Sequence, residues 1–300
     1  MDLKILYRGP LSSCNYGCQY CPFAKRKEGR AELGRDREAL HRFVGWVESR
    51  TQDRLGIFFT PWGEALVRPA YQEAAVRLSW MAQVEKVAAQ TNLSYPLRWT
   101  ERANPARLAF WATYHPEWSK RASFVAKCKA LDAGGFSMSV GVVGFARFRE
   151  QIARLRDELP PHVYLWINAV KDELQGLSPR DRAFFSEIDP LYERNTRHYP
   201  SLGHACRAGA QVVSVDGEGD VRRCHFIPQV IGNLYRDPGI EGALGERPCS
   251  APTCHCHIGY VHLDYLELGK VFGAGILERV PRGRWEDWRG QGGEALYPLP

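Results

Sequence analysis

The sequence predicts an α/β protein built on a parallel sheet, followed by a small cysteine-rich α+β region. Three observations carry this. Six short apolar or β-branched runs alternate with helical patterns between Leu3 and Asn168. After Asn168 the alternation stops and Cys, Gly and Pro become dense. Eight of the nine cysteines fall into two groups, one directly after the first run and one in the last third of the chain.

The strands are expected at Leu3–Tyr7, Arg54–Thr60, Val84–Thr91, Leu108–Tyr114, Phe136–Val143 and Val163–Ile167, each bounded by Gly, Pro or Asn. The first helix is expected over Asp36–Arg50, because Leu40, Phe43, Val44 and Val47 share one face. Further helices are expected over Pro69–Met81, Trp118–Leu131 and Ala146–Leu159. Six such alternations imply a parallel sheet, barrel-like or doubly wound, with its site at the C-terminal strand ends. Leu177–Tyr199 reads as helical, with Pro179 suited to the first turn. Gln211–Val215 and Val221–Arg223 flank Asp216-Gly217-Glu218-Gly219, a hairpin signal. The chain thus divides into 1–170, a helical linker 171–205, a metal-stapled region 206–280 and a tail 281–300.

Composition narrows the class. In 300 residues, 44% are hydrophobic and 12% aromatic, too rich for disorder as the main state. The formal charge of +6 is spread along the chain without a basic stripe or RNA-binding motif, which argues against nucleic acid. No apolar run approaches the roughly 20 residues of a membrane helix, and Met1–Tyr7 has no secretory h-region. A cytoplasmic, reducing location is therefore expected, where an odd count of nine cysteines suggests metal rather than disulfides.

Cys14, Cys18 and Cys21 are spaced C-x3-C-x2-C directly after the first strand. Three thiolates on one loop can hold three irons of a cubane whose complete set is four, leaving one iron open. A structural zinc site would need a fourth protein ligand, and none is nearby in sequence. Cys206 and Cys224 bracket the hairpin as C-x12-G-x4-C, with Gly219 as the glycine, and Cys249-x4-Cys254-x-Cys256 follows with His255 and His257 interleaved. Five cysteines are one more than a closed cluster needs, and which two of Cys249, Cys254 and Cys256 complete it stays open. Taken by itself, this second group favours zinc. Cys128 sits at helical spacing with Phe124, Val125 and Leu131 and reads as a small core hydrophobe. Asp216 and Glu218 read as turn residues. His115, in His115-Pro116-Glu117, reads as a capping residue at the site rim, with substrate or cofactor contact as the other reading.

The first constellation resembles the radical S-adenosylmethionine superfamily, whose signature is C-x3-C-x-aromatic-C, with Tyr20 in the aromatic place. The resemblance spans residues 3 to about 168. It implies a partial (β/α)6 TIM-like barrel carrying a [4Fe-4S] cluster on Cys14, Cys18 and Cys21. S-adenosylmethionine would bind the open iron, be cleaved reductively, and release a 5′-deoxyadenosyl radical that takes hydrogen from a substrate C–H bond. Thr60-Pro61-Trp62-Gly63-Glu64 resembles the family's Gly-Gly-Glu motif, with Trp62 in place of the first glycine, so Gly63 and Glu64 are expected near the methionine end. Gly141-Val142-Val143-Gly144 resembles its adenine-flanking segment, without the glutamate that usually follows. Tyr20 is expected to contact the adenine. Gln90-Thr91-Asn92, Thr113 and Asn168, at strand ends, are cofactor candidates by position, with turn or capping roles as the alternative.

The Cys206–Cys224 half is similar to the opening of the SPASM and twitch auxiliary-cluster domains, and the later spacing departs from the full SPASM pattern. A shortened, twitch-like domain with an auxiliary [4Fe-4S] cluster is implied. Cys254-His255-Cys256-His257-Ile258-Gly259-Tyr260 and Ile5-Leu6-Tyr7-Arg8-Gly9-Pro10 resemble an uncharacterised subgroup. The resemblance implies modification of a ribosomal peptide or protein, with a small-molecule dehydrogenase as the alternative. A non-catalytic iron–sulfur or zinc protein is the reading from another class. Lys25-Arg26-Lys27, near Arg30, is a candidate docking patch for a flavodoxin- or ferredoxin-type electron donor or an acidic peptide.

Overall fold

Six parallel strands form where apolar runs were expected, because their side chains are buried on both faces. The computed structural model describes residues 1–24, 26–236 and 240–283. Strands β1 (Asp2–Tyr7), β2 (Arg54–Phe59), β3 (Val84–Thr91), β4 (Leu108–Tyr114), β5 (Ser137–Val143) and β6 (Leu165–Asn168) lie in sequence order and pair in parallel. Helices α1 (Arg30–Ser49), α2 (Pro69–Trp80), α3 (Arg121–Ala133) and α4 (Arg149–Glu158) connect them. Helix α1 starts six residues before the expected Asp36, where Glu32 returns its side chain to the Gly29 amide. Cys128 is fully buried in α3, as its helical spacing implies.

The expected helix over Leu177–Tyr199 is broken in two. Helix α5 (Pro179–Ile188) ends before Asp189-Pro190, and α6 (Tyr192–Asn195) is one turn. Pro190 has no amide proton and disfavours a helical residue before it. Asp189 uses the break: its carboxylate accepts from Tyr164 Oη at 2.6 Å, Ile167 N at 2.8 Å and Leu191 N at 2.9 Å. That ties the chain to the end of β6.

A short strand β7 (Tyr199–Pro200) precedes the hairpin, whose strands are β8 (Val212–Val215) and β9 (Asp220–Arg222). Asp216 closes the turn, accepting from the Glu218 and Asp220 amides. The hairpin extends the main sheet: β8 pairs in parallel with β1, Lys4 opposite Val212 through Tyr7 opposite Val215. With β10 (Val230–Asn233) the sheet reads β10-β9-β8-β1-β2-β3-β4-β5-β6. The expected boundary at residue 206 therefore does not interrupt the sheet. Strand β11 (Thr253–Cys254) pairs with β7, and two short helices, α7 (His257–Tyr260) and α8 (Leu268–Phe272), follow. Of the expected tail 281–300, residues 284–300 lie outside the described residues.

Alternation along the strands separates two apolar layers. Leu3, Ile5, Tyr7, Ile57, Phe59 and Val87 pack with helices α1 to α4. Leu6, Phe58, Ala88, Trp111, Tyr164 and Trp166 face the other way and pack with Ile258, Tyr260, Leu263, Leu268, Phe272 and Leu277. The segment after Cys256 is thus the second cover of the sheet. The mixed α/β architecture with a large parallel sheet is that of a TIM-like core.

Candidate functional site

The C-terminal strand ends open into a cavity of about 680 Å³. Cys14, Cys18 and Cys21 line it, with Tyr20, Gly63, Glu64, Asn92, Thr113, Val143 and Asn168. With Gln90, Thr91 and Cys256, which also line it, thirteen of the expected site residues are brought to one space. Gly141 and Gly144 are not among the lining residues. A Cβ on Gly141 would lie 2.3 Å from Trp166 Nε1, and one on Gly144 would lie 2.7 Å from Ile167 Cγ2, so both make room for β6 side chains.

The cysteine loop is closed at its base by Glu28. Its Oε1 accepts from Ser12 N at 2.9 Å and Ser12 Oγ at 3.0 Å; its Oε2 accepts from Ser13 N at 3.1 Å and Ser13 Oγ at 2.6 Å. Partial burial opposes the charge, but the four bonds outweigh it and hold the carboxyl below its usual range. Arg68 and Arg26 add bonds to the two serine hydroxyls. Sequence reasoning missed Glu28, which carries no spacing signal.

On the inner side, residues 11–13 run against 62–64: Trp62 N donates to Leu11 O and Glu64 N to Ser13 O, each at 3.1 Å. The approach demands glycine at 63, where a Cβ would stand 1.9 Å from Ser13 O. Glu64 itself is 4% exposed. It accepts from Leu66 N at 3.1 Å and Thr91 Oγ1 at 2.7 Å on Oε1, and from Asn92 N at 2.6 Å on Oε2. Burial pushes its carboxyl up to about 7 despite these bonds. In this structure Glu64 fastens the ends of β2 and β3. Asn92 then reaches the loop, donating to Asn15 Oδ1 at 3.0 Å and lying 3.8 Å from Cys14 Sγ.

His115 is more than a cap. Its carbonyl accepts from Trp118 N and Ser119 N, and its Nδ1 lies 2.8 Å from Tyr20 Oη and 3.4 Å from Cys18 Sγ. Burial pushes it down to about 4, so the ring is neutral. Trp111 and Trp166 form the inner wall, with ring centroids 5.2 Å apart and the His257 ring 5.6 and 5.4 Å from them. Their inward parity on β4 and β6 was the signal available in the sequence. Arg8 and Lys171 also line the cavity and follow strand ends, a position that sequence reasoning did not examine for cations.

The later cysteines lie near one another. Cys206 interacts electrostatically with Cys224 and Cys249, and Cys224 with Cys249. Cys254 interacts with all three and with Cys256, and burial pushes its thiol up to about 12. Four contacts tie their segments together. Arg223 donates to Pro248 O at 2.6 Å and Arg247 O at 2.8 Å, Cys249 N donates to His204 O, and Cys254 pairs with Tyr199. Cys256 alone of the five lines the cavity.

The chain presents two sets of thiols, three on one loop beside an open cavity and the five later cysteines, of which Cys254 lies in β11. Among the described residues no three His, Cys, Asp or Glu side chains already converge on a single metal ion. The fit to iron–sulfur groups rests on the donor chemistry, thiol sets of three and of five. Of the basic run, Lys25 lies outside the described residues; Arg26 pairs with Glu32 at 3.2 Å and Lys27 is exposed. Among the described residues no helix is long and apolar enough to cross a membrane.

No protein-family model and no curated protein matches the chain. Solved structures do resemble it. One is anSMEcpe with bound AdoMet, at TM-score 0.51 and 15% identity over 78% of this chain and 75% of that one. Another is Streptococcus suis SuiB bound to S-adenosylmethionine, at 0.52 and 14% over 81% and 65%. A third is anSMEcpe with bound AdoMet and the Kp18Cys peptide, at 0.50 and 13% over 78% of each chain. The chain has the fold of these S-adenosylmethionine-bound proteins.

Proposed function

We propose that the protein is a radical S-adenosylmethionine enzyme with an auxiliary iron–sulfur cluster. The observation that carries this is one cavity walled by a three-cysteine loop, Gly63-Glu64 and the strand ends of a parallel sheet. That AdoMet is bound in three solved structures of the same fold supports it. When bound, a reduced cluster would supply one electron to the sulfonium of S-adenosylmethionine, whose S–C5′ bond would break to leave methionine and a 5′-deoxyadenosyl radical for hydrogen abstraction. This chain's residues hold and shield. Cys14, Cys18 and Cys21 ligate the cluster, leaving one iron for the cofactor. Gly63 offers backbone to the methionine end, while Glu64 keeps β2 and β3 in register with the loop. Tyr20, Val143, Thr113 and Asn168 border the adenosine, and Trp111 and Trp166 close the floor against water.

Cys206, Cys224, Cys249 and Cys254 hold the auxiliary [4Fe-4S] cluster, and Cys256 is the spare. The cavity position of Cys256, which none of the other four shares, supports this assignment. A peptide or protein is the substrate class. The wide cavity mouth, edged by exposed Phe23, Trp62 and Phe226, supports it, as does the peptide bound in one solved structure of the fold. A flavodoxin or ferredoxin is the electron donor.

Electron paramagnetic resonance of the dithionite-reduced, anaerobically loaded protein tests cofactor binding. Adding S-adenosylmethionine is expected to shift one cluster's signal and leave the other unchanged. A spectrum that does not respond would contradict the assignment.

A further inference from the structure

The cavity has an unbalanced charge. Arg8 follows β1 and Lys171 follows β6, and both line it. Arg8 is held rigidly without being neutralised. Its Nε lies 3.1 Å from His225 Nδ1, its Nη1 donates to Thr60 O at 3.0 Å, and the guanidinium stacks 3.9 Å over Trp62. Those partners are a ring that burial keeps unprotonated, a carbonyl and an aromatic face. Lys171 donates to Asn195 O, another uncharged partner. Among the described residues neither cation is ion-paired. Among the described residues the one carboxylate on the cavity wall is Glu64, which is committed to Leu66, Thr91 and Asn92. Partly desolvated cations without a counter-charge cost stability unless an anion arrives. Arg8, Lys171 and Cys256 line the one cavity, where Cys256 is an electrostatic neighbour of both cations and Cys254 a further one of Lys171.

We infer that Arg8 and Lys171 form a carboxylate-binding subsite beside Cys256, and that the substrate is acidic, anchored there by a carboxylate. The inference rests on the proposed reading of the cavity as an S-adenosylmethionine site and adds the substrate's chemistry to it. Arg8 presents Nη2, which bonds no described residue, and the planar fork suits a carboxylate. Lys171 contributes a second positive charge. The aromatic edge at Trp62 and Phe226 carries the apolar remainder of the substrate.

S-adenosylmethionine also has a carboxylate, so the test separates the two sources. The anaerobically loaded full chain, saturated with S-adenosylmethionine, is titrated with N-acetyl-Gly-Glu-Gly-amide and its Gly-Gln-Gly counterpart. Binding is read calorimetrically. The acidic peptide is expected to bind at least tenfold more tightly, and the preference is expected to shrink as salt rises. In Arg8→Gln/Lys171→Gln the preference vanishes, and in Lys171→Gln alone 5′-deoxyadenosine formed with dithionite and no peptide stays within about twofold of wild type. Arg8→Lys/Lys171→Arg keeps the preference.

Because Arg8 also braces Thr60 and His225, Lys171→Gln is read separately, with circular dichroism as the folding control, and should lose at least threefold of the preference. Equal binding of the two peptides by wild type, or a preference that survives in Lys171→Gln, overturns the subsite. Loss of peptide-independent 5′-deoxyadenosine in folded Lys171→Gln also overturns it, because that cation would then hold the cofactor's carboxylate. If wild type prefers the acidic peptide but makes no 5′-deoxyadenosine, the subsite stands and the cofactor reading fails.

Discussion

Replacing Glu28 by alanine is expected to loosen the cysteine loop without touching a thiol. The carboxylate receives four hydrogen bonds, two from amides and two from hydroxyls, at 2.6 to 3.1 Å. A bond to a charged group contributes about 1.5–3 kcal/mol when buried. Glu28 is half-buried, and water replaces part of what is lost, so about 2–4 kcal/mol in total is the working figure. For a domain of this size each kcal/mol moves the melting temperature by roughly 2–4 °C. Glu28→Ala should therefore melt about 4–16 °C lower, and the cluster on Cys14, Cys18 and Cys21 should be lost faster under an iron chelator. The sign with pH follows from the lowered folded-state pKa. The contribution is present above the unfolded pKa and fades as pH falls through the folded one, so wild type and variant converge in acid. Calorimetric melts at two pH values and a timed chelation assay measure this. A variant that melts within 1 °C of wild type, with unchanged chelation, would refute the clamp.

Other predictions follow from single contacts. Gly63→Ala should force the 11–13 and 62–64 segments apart, because its Cβ has 1.9 Å to Ser13 O. A loss of about 2–4 kcal/mol is expected from overpacking and broken bonds, with reduced iron per chain by chemical analysis. Serine at Cys206, Cys224, Cys249 or Cys254 should drop iron from about eight to about four per chain, and Cys256→Ser should not; Mössbauer counting distinguishes them. Asp189 is 2% exposed, and burial raises its carboxyl from 3.8 to about 6. Its favourable term is full below the unfolded pKa and is lost as pH rises through the folded one. Wild-type stability relative to Asp189→Asn should thus fall by on the order of 3 kcal/mol between about pH 4 and 6, read from denaturant midpoints.

The parallel sheet was legible because each strand is an apolar run bounded by turn residues, and the cysteine loop because three thiols at fixed spacing follow the first one. What was not legible depends on contacts distant in sequence. Leu6, Phe58, Trp111 and Trp166 show that the sheet's second face is apolar, but not that residues 258–277 cover it. The grouping of the later cysteines depends on Cys254 pairing with Tyr199, which no local pattern encodes. Pro190 was visible, and it marked the break that the helical reading of Leu177–Tyr199 passed over. The motif singled out Glu64, and its three protein bonds show a fastening role that the motif does not express.

The central claim is that Cys14, Cys18 and Cys21 create a site for reductive cleavage of S-adenosylmethionine. Its most direct test is 5′-deoxyadenosine formation by anaerobically loaded protein given S-adenosylmethionine and dithionite, quantified by chromatography and mass spectrometry. Wild type should form it, with methionine in equal amount or in excess. Cys18→Ala should form none while the auxiliary cluster's spectrum persists. Well-loaded wild type that forms no 5′-deoxyadenosine, with or without acidic peptide, would contradict the account.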